Sequence, residues 1–266
     1  MTAPAASTGA VLLDVRGLSA GYGEMPVLND LTLSIRAGEI VAVVGSNAAG
    51  KTTLLLALSW VIECSGAIVF AGQRIEALAS DGAIVSVDTY RAETARIAVG
   101  KGAHIVNDVW GAQREPAIAR VAAETGAGLL LMHTGRERQK DTDVIADQFA
   151  FLEKSIGIAR AAGVPDANIV LDPGFGFAKE TPADNLELMA RFEELHALGF
   201  PLAVGTSRKR FVGSVTGREG DDRDAGTAAT SVILRLKGAV LFRVHNVAIN
   251  VDALKMADAM LGSVGY

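Results

Sequence analysis

Beyond residue 83 the chain alternates short apolar runs with longer stretches of helical periodicity. The runs AIVSVD, AHIVND, GLLLMH, NIVLDP, PLAVGTS and VLFRVH read as strands, separated by amphipathic segments of roughly 10 to 20 residues. Strands that are apolar on both faces and separated by helices predict a parallel sheet with crossover connections. Six such units in succession fit a (β/α)8 barrel of the TIM type, partial by two units, better than an open α/β sheet. The first third differs. Two β-like runs, LLDVRGLSAGY and VLNDLTLSI, precede an apolar strand at residues 40–44, a glycine-containing loop, a helix and the strand GAIVFAG. That order predicts a partial βαβ segment of P-loop NTPase type. The periodicity changes within QRIEALASDGA at residues 73–83, which divides the chain into 1–82 and 83–266.

Composition narrows the function classes. Half of the 266 residues are hydrophobic and 21% are charged, enough apolar material for one large or two small cores. Net charge is -5 and no Lys/Arg-dense run occurs, which argues against a nucleic-acid partner. Cys64 is the single cysteine, so neither an internal disulfide nor a cysteine-cluster metal site is expected, and it reads as a structural thiol in a reducing compartment. The N-terminus lacks a basic segment followed by an apolar one, and the run at residues 54–62 is far short of the roughly 20 residues a membrane span needs. A cytoplasmic location without membrane attachment is expected.

The polar residues fall at the C-terminal ends of the predicted barrel strands: Asp88, Asn107, His133, Asp172, Ser207, Lys209, Arg243 and His245. Active sites of such barrels gather on that face. Helix caps and loop polars explain some such positions in any barrel, but a full ring of them favours a site. Arg243 and His245 alternate along the last strand and share a face, where a guanidinium fork and an imidazole suit a phosphate-type anion.

In the first third, GSNAAGKT at residues 45–52 matches G-x-x-x-x-G-K-[ST] between an apolar strand and a helix. Backbone at Gly45, Asn47 and Gly50 with Thr53 would cradle phosphates, Lys51 would reach the outer phosphates, and Thr52 would ligate Mg2+. An ordinary strand-to-helix turn is the alternative. Residues from about 10 to 78 resemble the opening of the ATP-binding subunits of ABC transporters, and Tyr22 matches their adenine-stacking aromatic. That resemblance implies ATP and Mg2+. It stops before the glutamine loop, the LSGGQ-type signature, the Walker B carboxylate and the switch histidine, and Ala48 stands where the family usually has glycine. Phosphoryl transfer depends on those groups, so hydrolysis is not expected.

The segments SVDTYRAETA, AHIVNDVWG, LLMHTG, IVLDPGFGFAK, AVGTSRKRFVG and FRVHNV, in that order, make residues 83 to about 262 resemble the dihydropteroate synthases. The resemblance implies a (β/α)8 barrel that joins hydroxymethyl-dihydropterin pyrophosphate to p-aminobenzoate in folate synthesis. It implies pterin contacts from Asp88, Asn107, Asp172 and Lys209. A buried carboxylate such as Asp172 can take the two adjacent donors of a pterin edge in a charge-assisted pair. Arg243 and His245, with Lys209, are then the catalytic group, binding pyrophosphate as it leaves. Ser207, Arg208 and Phe177 resemble the p-aminobenzoate side. Met132 either packs on the pterin or belongs to the core, and His104 and His196 carry no assigned role. The family's two opening loop motifs, NVTPDSFSDGG and GGEST-R-PG, have no counterpart in the sequence. Those loops carry the family's magnesium-binding asparagine and close over both substrates, so impaired catalysis is expected.

Two rival readings stay open: an ATP-binding module in which Lys51 and Thr52 hold the nucleotide, and a chimera, recombined or engineered, without an evolved activity. The partner expected on the first reading is a small-molecule pterin, and the sequence leaves a homodimer open.

Overall fold

Each of the six apolar runs beyond residue 83 forms a parallel strand, shorter than the run that predicts it. In the computed structural model these are β5 (Ser86–Asp88), β6 (Ile105–Asp108), β7 (Gly128–Met132), β8 (Ile169–Asp172), β9 (Ala203–Val204) and β10 (Leu241–Phe242). The first four pair in chain order, with Val87 opposite Val106, Val106 opposite Leu129 and Leu129 opposite Ile169. The Leu171 N–H donates to the Pro201 carbonyl at 3.0 Å and Leu171 bridges Leu202, which carries the sequence of neighbours on to the β9–β10 pair. Six parallel strands in chain order, each followed by a helix, form the arc of a (β/α)8 barrel. The helices are α2 (Ala92–Gly100), α3 (Ala117–Thr125), α4 (Val144–Ala161), α5 (Pro182–Ala190), α6 (Arg210–Thr216), α7 (Asp224–Leu236) and α8 (Val247–Val264).

Local chemistry sets their ends. Asp143 caps α4 by accepting the Ile145 and Ala146 N–H groups, and Thr181 with Asp184 forms a capping box on α5 with Pro182 in its first turn. Inside the arc, Leu130, Met132 and Ala203 pack together with the partly buried Ile105, Val109, Val170, Phe177 and Leu241.

The structure describes residues 10–22, 25–37, 50–58, 64–70, 73–74, 82–179 and 181–264. The chain divides into two compact units, residues 1–85 with 96–104, and residues 86–95 with 105–266. In the first unit β1 (Val11–Tyr22) and β2 (Met25–Arg36) form an antiparallel hairpin, followed by α1 (Lys51–Leu58), β3 (Cys64–Phe70) and β4 (Gln73–Arg74). The sheet order is β2-β1-β3-β4. Val15, Leu18, Leu28 and Ile68 of the sheet bury one face against Leu54 and Ala57 of α1.

Among the described residues the GAIVF strand lies antiparallel to β1, and the 40–44 strand expected as its βαβ partner is outside them. The two 12-residue strands β1 and β2 pair antiparallel, and β3 pairs with the other edge of β1. The hydrogen-bonded neighbours of β3 among the described residues are β1 and β4. The strand expected at 40–44, with Gly45 and Asn47 of the phosphate loop, lies outside the described residues, as do the side chains of Tyr22, Lys51 and Thr52. Gly50 sits ahead of α1 with a φ of 80°, and Thr53 is buried. Among the described residues no helix is long and apolar enough to cross a membrane.

Candidate active site

The strand ends deliver a cationic cavity beside a buried carboxylate. Phe177, Gly205, Ser207, Lys209, Arg243, Val244 and His245 line a cavity of about 400 Å3. Arg243 follows β10, and its N–H still donates to the Val204 carbonyl at 2.9 Å. Its guanidinium lies along Gly205, where a side chain would crowd it, and reaches toward Asp88 with Nη1 3.4 Å from Oδ2. Asn107 donates from Nδ2 to the same Asp88 oxygen at 2.7 Å. Asn107 Oδ1 and Asp88 Oδ1 are then available for a ligand's donors.

Asp172 ends β8 and is 4% exposed. Its Oδ1 accepts the Gly174 N–H at 2.7 Å. Burial raises the pKa of this carboxyl, while the Gly174 hydrogen bond and the charges of Arg243, Lys179 and Lys209 oppose that rise. Lys209 is displaced downward by burial and then by Arg243, and its Nζ stands 4.2 Å from the centroid of the Phe177 ring. Arg136 lies 4.9 Å from the same ring, so Phe177 carries two cations at the cavity wall.

His245 is set by Ser207. The Ser207 hydroxyl accepts the His245 backbone N–H at 3.1 Å and lies 2.8 Å from its Nδ1. In the tautomer in which the hydroxyl donates its proton to Nδ1, a neutral His245 carries its own proton on Nε2. That tautomer makes the ring a donor, the form that suits an anionic oxygen.

Several sequence readings change here. Arg243 and His245 do not alternate along a strand, because β10 ends at Phe242; the ladder stops as β9 runs into Gly205, and Ser207 rather than strand geometry orients the imidazole. Ser207 lines the cavity and bonds His245 through its hydroxyl. Arg208 adopts a φ of 56° and turns its guanidinium to Asp224 at 2.8 and 3.0 Å, pinning the loop after β9 to α7. Met132 is fully buried in the barrel interior, the core alternative of its two readings. Outside the cavity, His104 Nδ1 accepts the Val85 N–H, and His196 Nε2 donates to the Lys237 carbonyl.

Sequence reasoning missed a buried group next to the site. Lys179 and His133 are 7% and 1% exposed and meet at 3.2 Å between Nζ and Nδ1, with Asp147 and Arg138 behind them. Lys179 closes the segment IVLDPGFGFAK, and a lysine so close to Asp172 in sequence was the available signal. Among the described residues no group of three or more His, Cys, Asp or Glu side chains converges as a metal site.

Known proteins match this unit. The family profile described as "pterin binding enzyme" matches residues 71–245. The dihydropteroate synthase of Bacillus subtilis is 45% identical over 184 residues, covering 69% of this chain and 64% of that protein. That of Mycobacterium leprae is 42% identical over 200 residues, covering 70% of each. A crystal structure of the Clostridium difficile enzyme in the presence of pteroic acid superposes with a TM-score of 0.67 at 37% identity, over 70% of this chain and 71% of that one. The Xanthomonas albilineans enzyme in complex with 7,8-dihydropteroate gives 0.66 at 39% identity, over 70% and 72%. The chain thus spans just under two thirds of the Bacillus subtilis relative. The profile match begins at residue 71, and the ABC-type reading of the preceding segment rests on its sequence motif alone.

Proposed function

Because the chain belongs to the pterin-binding enzyme family, we propose that its barrel unit binds a pterin and carries a dihydropteroate synthase-type transferase site of reduced activity. The observation that supports this most is the buried Asp172 beside a cavity bearing Lys209 and Arg243. An amino-pyrimidinone edge has two adjacent donors, which one carboxylate can accept together. Asn107 and Asp88 offer further acceptors, and Lys209 donates to the ring carbonyl and adjacent nitrogen. A ring without these groups leaves buried polar atoms unpaired and is rejected.

Arg243 and the Nε2–H of His245 take the pyrophosphate of the activated pterin. The methylene C–O bond breaks with its electron pair leaving on pyrophosphate, and the p-aminobenzoate nitrogen then bonds to the methylene and releases a proton to solvent. No covalent intermediate with the protein is required. The described residues supply no protein-only magnesium site, and the family's metal-binding asparagine belongs to a loop without a counterpart here, so no step is routed through the metal. The same absent loops orient the amine and exclude water, and oriented closure is worth several kcal/mol of barrier.

A pyrophosphate-release assay tests the proposal. Turnover is expected to be at least about a thousandfold below that of an intact family member, equivalent to about 4 kcal/mol, with the residual rate lost in Arg243→Ala. A residual rate indifferent to that substitution contradicts the assigned roles, and near-normal turnover contradicts the reduced activity.

A further inference from the structure

The segment after β8 is held in an unfavourable conformation. Gly174, Gly176 and Ala178 all have positive φ, at 66°, 76° and 54°, and a Cβ on Gly174 would overlap the His133 carbonyl oxygen. Such a turn persists only where its surroundings determine it. Asn185 accepts the Gly176 N–H and donates to the Lys179 carbonyl, and Lys140 donates to the Ala178 carbonyl. Gln148 donates to the Pro173 carbonyl at 3.2 Å. The part that touches Asp172 depends above all on Lys179, whose Nζ lies 2.8 Å from the Pro173 carbonyl, 2.9 Å from that of Gly174 and 3.2 Å from His133 Nδ1.

Three N–H bonds of an ammonium meet three acceptors. This assignment makes His133 neutral with its proton on Nε2, donating to Asp147 Oδ2 at 2.9 Å. Arg138 Nη2 lies 2.8 Å from the same nitrogen but gives its proton to Asp147 Oδ2 at 2.6 Å.

We propose that Lys179 is a positioning residue for Asp172: its ammonium pins the two carbonyls of the turn that aims the Gly174 N–H at Asp172, and its charge favours the carboxylate form. The proposal rests on the pterin reading for its functional consequence, though not for its structural one. Burial lowers Lys179 to about 7, against the opposing attraction of Asp172 and Asp147, with Arg138 and Lys140 adding to the decrease. His133 is itself driven down by burial to about 4 and stays neutral near pH 7. Asp147, which burial alone would raise, is held below the carboxylate range by hydrogen bonds from His133, Arg138 and the Asp141 backbone. Around Lys179, burial raises the Asp172 carboxyl, hydrogen bonds hold Asp147 below the carboxylate range, and the cations of Arg138 and Lys140 add to the lowering of the lysine. The pinning therefore weakens as pH rises through about 7.

Hydrogen exchange on the full ligand-free chain reads this directly. In Lys179→Met, checked for a cooperative melt, amides 174–177 are expected to exchange at least tenfold faster while those of α7 are unchanged, and pterin affinity by calorimetry falls at least tenfold. In the wild type, protection of 174–177 corrected for the intrinsic rate is expected to drop several-fold from pH 6 to pH 8.5, more than in α7. Unchanged exchange at 174–177 in a folded variant overturns the proposal, and if the variant does not fold, a flat wild-type pH profile overturns it. A wild type that binds no pterin removes the functional reading, while the exchange data still decide the role of Lys179.

Discussion

At Asp172 two opposing forces set the affinity of the site. Burial disfavours the charge and raises the carboxyl, while Gly174, Arg243, Lys179 and Lys209 act against that rise. A carboxylate that accepts two donors from one ligand edge makes two charge-assisted bonds, whereas Lys209, partly engaged with the Phe177 ring, makes weaker ones. Asp172→Asn should therefore cost pterin binding about 2 to 4 kcal/mol, more than Lys209→Ala. Calorimetric titration of the two variants checks this, and equal losses contradict the ring orientation. The positions of Asp88, Asn107 and Asp172 were legible because each interrupts an apolar run at or near the C-terminal end of its strand, whereas Lys209, Arg243 and His245 lie in the segments after β9 and β10. The hydrogen-bond partners of Ser207 and Arg208 were not legible because composition does not reveal which way a loop side chain turns. The φ of 56° at Arg208 sends its guanidinium to an aspartate 16 residues on. The Lys179 network was hidden for a related reason: it joins residues up to 46 positions apart.

The turns that follow the strands are the elements on which the site depends, and one of them titrates. After β6 the Asp108 carboxylate accepts the Trp110 N–H through Oδ1 and the Ala112 N–H through Oδ2, folding the loop beside Asn107. Burial raises Asp108 to about 6, against the pull of those two hydrogen bonds. A folded pKa above the unfolded 3.8 means that the folded state binds more protons between those values. This group therefore destabilises the fold above pH 6 and relieves that cost as pH falls. From pH 7.5 to pH 5 the wild type should gain about 1 kcal/mol relative to Asp108→Asn, read as the difference between their unfolding free energies at each pH. A difference that does not change with pH contradicts the assignment. Strand existence and order were legible here because runs such as LLLM and IVLD are apolar on both faces. Strand length was not, since the ladder is cut by turns that answer to residues such as Gly205 and Asp108.

Over the whole chain, the barrel unit was legible as a succession of six strand and helix pairs, whereas the arrangement of the first third was not. Its GAIVF run has the same apolar character whether it pairs parallel or antiparallel. The hairpin of β1 and β2, which leaves β1 an open edge for β3, decides the matter. On the proposed pterin reading, the ring contacts survive on the strands present, while the second substrate lacks the loops that would hold it. Calorimetric titration of the full chain with a pterin, and separately with p-aminobenzoate, tests it most directly. Saturable binding of the pterin with no measurable binding of p-aminobenzoate is the predicted result. Tight p-aminobenzoate binding without pterin binding would contradict it.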